Sequence, residues 1–220
     1  MARFTNIKLF LLGLTIALGM VAKAKEAHAQ STETIIVAGG CFWCVESDFE
    51  KVRGVKEAVS GFTGGSIANP TYKQVTKGGS GHLEAVKITF NPNQVSARQL
   101  YDMFFRSIDP TDAGGQFCDR GKSYSTAIFV TNSAQNEAAK AAKSNAQAAL
   151  GRKIVTPIKQ ASAFYAADEY HQDYYKSKDR ILTRFGPLTK AKAYKRYRTA
   201  CGRDARVKEL WGSAAPFVGG

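Results

Sequence analysis

The order of predicted segments indicates an α+β fold, in which helices cover a largely antiparallel sheet. Short apolar runs typical of strands mix with helical patterns, but the two do not alternate regularly as they do in parallel α/β domains. Of the 220 residues, 44% are hydrophobic and 22% are charged, which is an ordinary globular composition. The length suits one domain of some size rather than two.

The first 29 residues predict a secretory signal peptide, which leaves residues 30–220 for the folded domain. Arg3 and Lys8 form a positive n-region, and an apolar run follows from Leu9 to Val21. Ala27-His28-Ala29 has the small-x-small pattern of a cleavage site. An uncleaved anchor is the alternative, although the run is short for a membrane span. We therefore expect a secreted or periplasmic protein that is cleaved near Ala29 and has no stable membrane span.

Three strands and two longer helices are predicted in the first half of the domain. The strands are short apolar runs bounded by glycine or proline turns: Thr34 to Ala38, Val55 to Phe62 and His82 to Phe90. A helix follows Gly39-Gly40, because Val45, Phe49 and Val52 recur at helical spacing. The capping box Ser96-x-x-Gln99 begins the other helix.

The second half is predicted to begin with a long loop from Asp109 to Ser123, and loops of that length are usually functional. A strand from Tyr124 to Val130 and an alanine-rich helix from Ser133 to Leu150 follow. Ile154 to Ser162 has the pattern of a last strand. Residues 179–220 are predicted to form an irregular, basic C-terminal extension.

The formal net charge of +13 raises the question of an anionic partner, because much of the basic excess lies between residues 190 and 208. No zinc-finger, homeodomain or RNA-recognition signature accompanies these charges, and export argues against nucleic acid. We therefore expect a solvated basic surface on a monomer, with no nucleic-acid partner.

The segment Gly39-Gly40-Cys41-Phe42-Trp43-Cys44 carries the strongest chemical signal. A cysteine at the mouth of a helix gains acidity from the helix dipole and from free backbone N–H groups. Cys44 lies three residues further on, close enough to form a disulfide with Cys41. Two packed apolar cysteines are one alternative. A zinc site is another, but it needs two further ligands, and no second C-x-x-C or H-x3-H motif supplies them. We expect no bound metal.

Glu84 is the second chemical signal, because it shares a strand face with the apolar residues Val86, Ile88 and Phe90. A carboxyl group buried on an apolar face has a raised pKa, so it can donate a proton near neutral pH. The alternative is that Glu84 reaches solvent at the start of the strand. His171 is a weaker candidate for a base or ligand, since a packed or surface histidine is more common.

Five motifs follow one another between residues 33 and 178: Gly40-Cys41-Phe42-Trp43, Asn69-Pro70-Thr71-Tyr72, Gly81-His82-x-Glu84-Ala85-Val86, Asp119-Arg120-Gly121-x-x-Tyr124-x-Thr126-Ala127-Ile128 and Tyr170-His171-Gln172. In order and spacing this set resembles the peptide-methionine sulfoxide reductase A family. The resemblance implies a ferredoxin-like two-layer α+β sandwich with a catalytic core over about 33–178. It also implies an enzyme that reduces methionine-S-sulfoxide, free or in oxidised proteins and peptides.

The resemblance implies that Cys41 is the nucleophile and Glu84 the acid. Tyr72 and Tyr124 match the family's hydroxyl donors, and Asp119 matches a polar position of the site. The sulfenic acid left on the nucleophile would condense with a second thiol, and a thioredoxin-like protein or a dithiol would reduce the resulting disulfide. No bound cofactor is implied.

Phe42 and Trp43 match the pocket that holds the substrate methyl group. The family often has glycine where Cys44 stands and asparagine where Cys118 stands. We predict Cys44 as the resolving cysteine, because closing a short loop favours the nearer thiol. Cys201, near the C-terminus, is the alternative resolver, and Cys118 has no implied role.

An exported thioredoxin-like disulfide oxidoreductase is the competing function, since a C-x-x-C motif there also opens a helix after a strand. The chain lacks the usual tryptophan before the first cysteine, and no proline-marked loop is evident opposite it. That alternative also leaves Glu84 unexplained.

Overall fold

The computed structural model describes residues 31–219, so the predicted signal peptide and its cleavage site lie outside the described residues. Within 31–219, no helix is both long and apolar enough to cross a membrane.

The described chain contains ten β-strands, which in chain order are β1 (Glu33–Gly39), β2 (Val55–Thr63), β3 (Leu83–Phe90), β4 (Gly115–Gln116), β5 (Asp119–Arg120), β6 (Thr126–Val130), β7 (Ile158–Gln160), β8 (Tyr165–Ala166), β9 (Arg180–Thr183) and β10 (Gly186–Thr189). Its α-helices are α1 (Phe42–Phe49), α2 (Tyr72–Thr76), α3 (Ala97–Phe105), α4 (Ser133–Leu150), α5 (Lys190–Ala200) and α6 (Arg203–Trp211).

Six strands form the central sheet in the order β7-β6-β1-β3-β2-β8. Every pairing in it is antiparallel except that of β6 with β7, which confirms the predicted α+β class with a largely antiparallel sheet. In the register of β1 with β3, Val37 pairs with Val86. Glu84 comes two residues before Val86 in β3. Because the two strands are antiparallel, it lies level with the end of β1, where the chain turns into α1.

The main hydrophobic core lies on one face of this sheet, where helices α1, α3, α4 and α6 pack against the strands. On β3, Val86, Ile88 and Phe90 point into this core, whereas Leu83 and Ala85 belong to a smaller cluster. The alternation follows from the period of two in a strand. The face that carries Val86, Ile88 and Phe90 is the one predicted to carry Glu84.

Local capping explains where the longer helices begin and end. The Ser96 side chain accepts from the backbone N–H of Gln99, and Gln99 accepts from that of Ser96, as the capping box predicts. Asn132 caps α4, and Gly151 ends that helix in the left-handed conformation. The predicted bounds of α4 are confirmed.

Three sequence predictions differ from the structure. The strand predicted from Tyr124 begins at Thr126, and the one predicted over Ile154 to Ser162 is confined to Ile158–Gln160. Where the C-terminal extension is described, residues 179–219 are largely regular rather than irregular: they contain the β9–β10 hairpin and helices α5 and α6. Trp211 and Val207 of α6 are buried in the main core. The helical pattern is hard to see in the sequence because basic residues such as Arg198 also face inward.

Candidate active site

Cys41 lies in the turn between β1 and α1 and occupies the N-cap position of that helix. The turn requires Gly40, which has a φ of +81° and where an added Cβ would lie 2.5 Å from the Gln116 side chain. Cys41 is half-buried, and its carbonyl accepts from the N–H of Cys44 at 3.1 Å. Cys41 therefore stands at the positive end of a helix, and part of the residue is exposed.

Glu84 is buried next to this turn, with 1% of its surface exposed. The N–H of Phe42 donates to its Oε2 at 3.0 Å, while Oε1 has no hydrogen-bond partner among the described residues. Burial raises the pKa of Glu84 to about 8, despite the opposing hydrogen bond from Phe42. The expected burial of Glu84 is confirmed. The alternative, that Glu84 reaches solvent at the start of the strand, is wrong. At neutral pH the carboxyl is largely protonated.

Tyr72, at the start of α2, and Tyr124 lie close enough for their hydroxyl groups to interact. Burial, followed by the nearby charge of Glu84, raises the pKa of both phenols far above the usual range. Both therefore stay protonated and can donate hydrogen bonds. The structure places these two predicted donors together, beside Cys41 and Glu84.

The two predicted pocket residues have different positions. Trp43 lines the wall of a cavity of about 580 Å³ that Cys41 also lines. Phe42 is almost fully buried in the main core and lies behind that wall, with its ring 6.0 Å from that of Tyr72. Trp43 is thus the pocket residue that a ligand in this cavity meets directly.

An aromatic stack that sequence reasoning did not identify supports Trp43. The ring of Tyr174 lies parallel to that of Trp43, with centroids 3.8 Å apart. His171 lies between Trp43 and Tyr72 and stacks on Tyr72 at 4.2 Å. Burial lowers the pKa of His171, so it is a neutral packed histidine rather than a charged base. The only sequence signal for this stack was the density of aromatic residues between 170 and 175.

The cysteines form one disulfide and one pair of thiols. Cys118 and Cys201 are joined by a disulfide across 83 residues, whereas Cys41 and Cys44 are free. All four line the same cavity. This pairing gives Cys118 the partner that the sequence did not supply, because connectivity does not follow from cysteine spacing. In this oxidation state Cys201 is not a free thiol, and Cys44 is the thiol beside Cys41.

A hydrogen bond between the Cys41 and Cys44 thiols raises the pKa of Cys41 and lowers that of Cys44. Arg203 and Arg198 lower the pKa of Cys44 further. The sequence predicted a thiolate favoured at Cys41 from its place at the start of a helix. The interaction between the two sulfurs is the largest cause of both shifts, and the two arginines, from α5 and α6, add to it by favouring the charge on Cys44. Moving one proton along the hydrogen bond from Cys41 to Cys44 produces the Cys41 thiolate.

Asp119 lines the cavity beside Cys118 and is half-buried, and burial raises the pKa of its carboxyl. Ligand atoms of Cys118, Asp119 and Cys201 lie within 4.8 Å of one another, which is close enough to hold a metal ion. The disulfide occupies both sulfurs, however, and cysteine binds a metal through its thiolate. In the disulfide form these residues do not fit a metal.

Residues 33–211 match the family model described as peptide methionine sulfoxide reductase. The chain belongs to this family. It is 48% identical over 189 residues to peptide methionine sulfoxide reductase MsrA 2 of Rhizobium meliloti, which covers 86% of this chain and 88% of that protein. It is 43% identical over 187 residues to MsrA of Bacillus subtilis, covering 84% of this chain and 99% of the relative.

Solved structures of the family are similar to the fold. Reduced Mxr1 of Saccharomyces cerevisiae has a TM-score of 0.63 at 30% identity, covering 66% of this chain and 85% of Mxr1. Methionine sulfoxide reductase A of Corynebacterium diphtheriae has a TM-score of 0.59 at 29% identity, covering 67% and 75%. The protein is therefore an oxidoreductase that uses thiols to reduce methionine sulfoxide. The competing thioredoxin-like function receives no support from these relatives.

Proposed function

We propose that this reductase acts on the S epimer of methionine sulfoxide, with Cys41 as nucleophile and Glu84 as proton donor. The observation that carries this proposal is a neutral carboxyl buried beside the nucleophile's turn. A sulfoxide is a poor electrophile, because attack on its sulfur pushes negative charge onto oxygen. A protonated Glu84 relieves that charge at neutral pH, and a charged one cannot.

The other groups have matching roles. The hydroxyls of Tyr72 and Tyr124 hold the sulfoxide oxygen, while Trp43 contacts the methyl group. The Cys41 thiolate attacks the sulfoxide sulfur and forms an S–S bond, while Glu84 protonates the sulfoxide oxygen. The hydroxyl then passes to the Cys41 sulfur as the S–S bond breaks, so methionine leaves with the bonding electron pair and Cys41 becomes a sulfenic acid. Asp119 contributes a further polar group to the cavity wall.

We propose that Cys44 resolves the sulfenic acid, forming a Cys41–Cys44 disulfide and releasing water. Cys44 is buried and cannot meet an external protein directly, whereas Cys118 is exposed at the cavity mouth. A thioredoxin-like dithiol first reduces the Cys118–Cys201 disulfide to two thiols. The freed Cys201 thiolate then attacks Cys44 and releases Cys41, and Cys118 displaces Cys44 from Cys201, so that the Cys118–Cys201 disulfide forms again and the dithiol reduces it. The Cys118–Cys201 disulfide fits such a recycling route.

We also infer that the fold belongs to the ferredoxin-like two-layer class. The core has the pattern strand-helix-strand-strand-helix-strand, which is formed in chain order by β1, α1, β2, β3, α3 and β6. The four strands neighbour one another as β6-β1-β3-β2, all antiparallel, which supports this assignment.

The test is steady-state reduction of the separate S and R epimers of N-acetyl methionine sulfoxide, with dithiothreitol as reductant. We expect strong preference for S, because the methyl and oxygen sites are distinct. Equal rates with both epimers contradict the stereochemical assignment. Reduction of protein disulfides without production of methionine contradicts the proposed chemistry as a whole.

A further inference from the structure

The cavity that contains the nucleophile extends well beyond the space that one methionine side chain fills. Its volume of about 580 Å³ lies within the range of pockets that enclose drug-sized ligands, which are larger than one methionine side chain. Cys41 and Trp43 line it, and so do Leu182 and Arg184 of the β9–β10 hairpin. The cavity therefore joins the reacting sulfur to a hairpin that the chemistry described above does not use.

This hairpin is held in a defined conformation. Arg184 and Phe185 form its two-residue turn, in which the N–H of Phe185 donates to Thr183 Oγ1 at 3.0 Å. The Thr183 hydroxyl in turn donates to the carbonyl of Gly186 at 2.8 Å. The Arg184 guanidinium lies 4.9 Å from the ring centre of Phe185 and 5.1 Å from that of Tyr197. The charge at the tip is thus oriented by two aromatic rings.

Arg184 differs from the other arginines that line the cavity. Arg198 and Arg203 both form ion pairs with Asp48, whereas Arg184 has no acidic partner within 4 Å in residues 31–219. Beside it, Leu182 is 85% exposed, more than any other large hydrophobic residue described. The hairpin therefore presents an apolar side chain and a free positive charge to whatever enters the cavity.

We propose that the β9–β10 hairpin binds the polypeptide segment next to the oxidised methionine and favours acidic residues there. This inference rests on the methionine sulfoxide reductase function. Leu182 packs against the apolar part of the segment, and Arg184 pairs with an aspartate or glutamate side chain. A second copy of this chain fits the same surface poorly, because its net charge of +13 repels another basic surface.

The test compares three substrates that carry one methionine S-sulfoxide. Two are blocked heptapeptides, identical except for glutamate or lysine beside the methionine, and the third is the N-acetyl amino acid, which does not reach the hairpin. In wild type, kcat/KM should favour the acidic peptide by about two- to fivefold, the range of a partly exposed ion pair. Arg184→Glu should reverse the preference, and Arg184→Met should reduce the ratio to about one.

Arg152→Glu is the matched control. Arg152 is exposed and does not line the cavity, and replacing it with glutamate changes the charge as much as Arg184→Glu does. It should keep the wild-type ratio. Leu182→Ser should lower kcat/KM for both peptides and spare the N-acetyl substrate. An unchanged ratio in both Arg184 variants, or an equal shift in Arg152→Glu, overturns the docking proposal. Failure of wild type to reduce the N-acetyl substrate instead counts against the reductase function.

Discussion

Glu84 shows how one buried side chain sets the chemistry of the site. Its carboxyl accepts the N–H of the residue that follows the nucleophile, and its other oxygen faces no described partner. A buried polar atom without a partner is costly, and a substrate oxygen that receives its proton satisfies it. Packing alone does not explain a glutamate at this position.

Glu84→Gln should lower the rate of methionine release by roughly 10²–10⁴-fold, the usual range for loss of a general acid. The amide keeps the shape of the side chain but cannot deliver a proton. Single-turnover quench measurements of methionine at neutral pH test this directly. Glu57→Gln, an exposed carboxylate on β2, is the matched control and should keep the normal rate. A near-normal rate for Glu84→Gln removes this residue from the mechanism.

The pH dependence follows from the same carboxyl. Its pKa is about 8, and its protonated form is the donor, so single-turnover rates should fall as pH rises through about 8. The nucleophile must lose a proton, which limits the rate at the opposite, acid side. In Glu84→Gln the decline on the alkaline side should disappear. If the variant keeps that decline, another group is responsible for it.

The adjacent thiol gives the third residue-level prediction. In Cys44→Ser the first methionine should still appear, but the sulfenic acid should persist and thioredoxin-driven turnover should collapse. In Cys201→Ser, the matched control, a Cys41–Cys44 disulfide should still form at nearly the normal rate. Trapping with dimedone detects the sulfenic acid, and mass spectrometry maps the disulfide, so the two products are distinguished. Normal cycling of Cys44→Ser through a Cys41–Cys201 bond contradicts local resolution.

At the scale of elements, local signals predicted the structure wherever they were strong. The capping box at Ser96 and the alternating pattern that buries Glu84 depend on neighbours in sequence, so the sequence contains them. The disulfide of Cys118 with Cys201 joins residues 83 apart, and no local pattern encodes that pairing. The stack of Tyr174 on Trp43 is another long-range contact that could not be predicted.

The C-terminal helices show why polar patterns mislead. Arg198 of α5 is buried because it pairs with Asp48 and Asp204 and donates to the carbonyl of Phe217. Arg203 of α6 lies beside Asp48 and donates to the carbonyls of Gly39 and Ser107. A hydrophobicity pattern assigns such residues to solvent. Here they connect the end of the chain to the helix that carries Cys44.

Trp211→Ala should destabilise the protein by about 3–5 kcal/mol, the usual cost of removing a large buried aromatic side chain. The Trp211 ring packs in the main core, and its Nε1 donates to the carbonyl of Ile108 at 3.2 Å. Urea unfolding followed by circular dichroism measures the change. Val218→Ala, at an exposed position, should cost less than about 0.5 kcal/mol. Equal stability of the two variants shows that α6 does not belong to the folded core.

At the scale of the whole molecule, one cavity joins the parts that the sequence presents separately. Its wall is formed by four parts of the chain: the turn after β1, the loop that holds Cys118, the aromatic segment near residue 171 and the C-terminal helices. The motifs in the first 130 residues predicted the chemistry, because reacting groups are few and specific. Residues between 181 and 203 also line the cavity, and no motif was recognised in that part of the chain.

The compartment in which this chemistry takes place is the last prediction, and it rests on the sequence of residues 1–29. Export should be followed by cleavage after Ala29, so the intact mass from the extracytoplasmic fraction should correspond to a chain that starts at Gln30. Ala29→Tyr should block cleavage, because the site needs small residues at Ala27 and Ala29. His28→Tyr is the control and should be processed normally, since the middle position tolerates large side chains. Full-length protein in the cytosol contradicts export, and full-length protein in the membrane fraction shows an uncleaved anchor instead. A thioredoxin-like donor outside the cytoplasm is then required, because the electrons that return the cysteines to thiols come from an external dithiol.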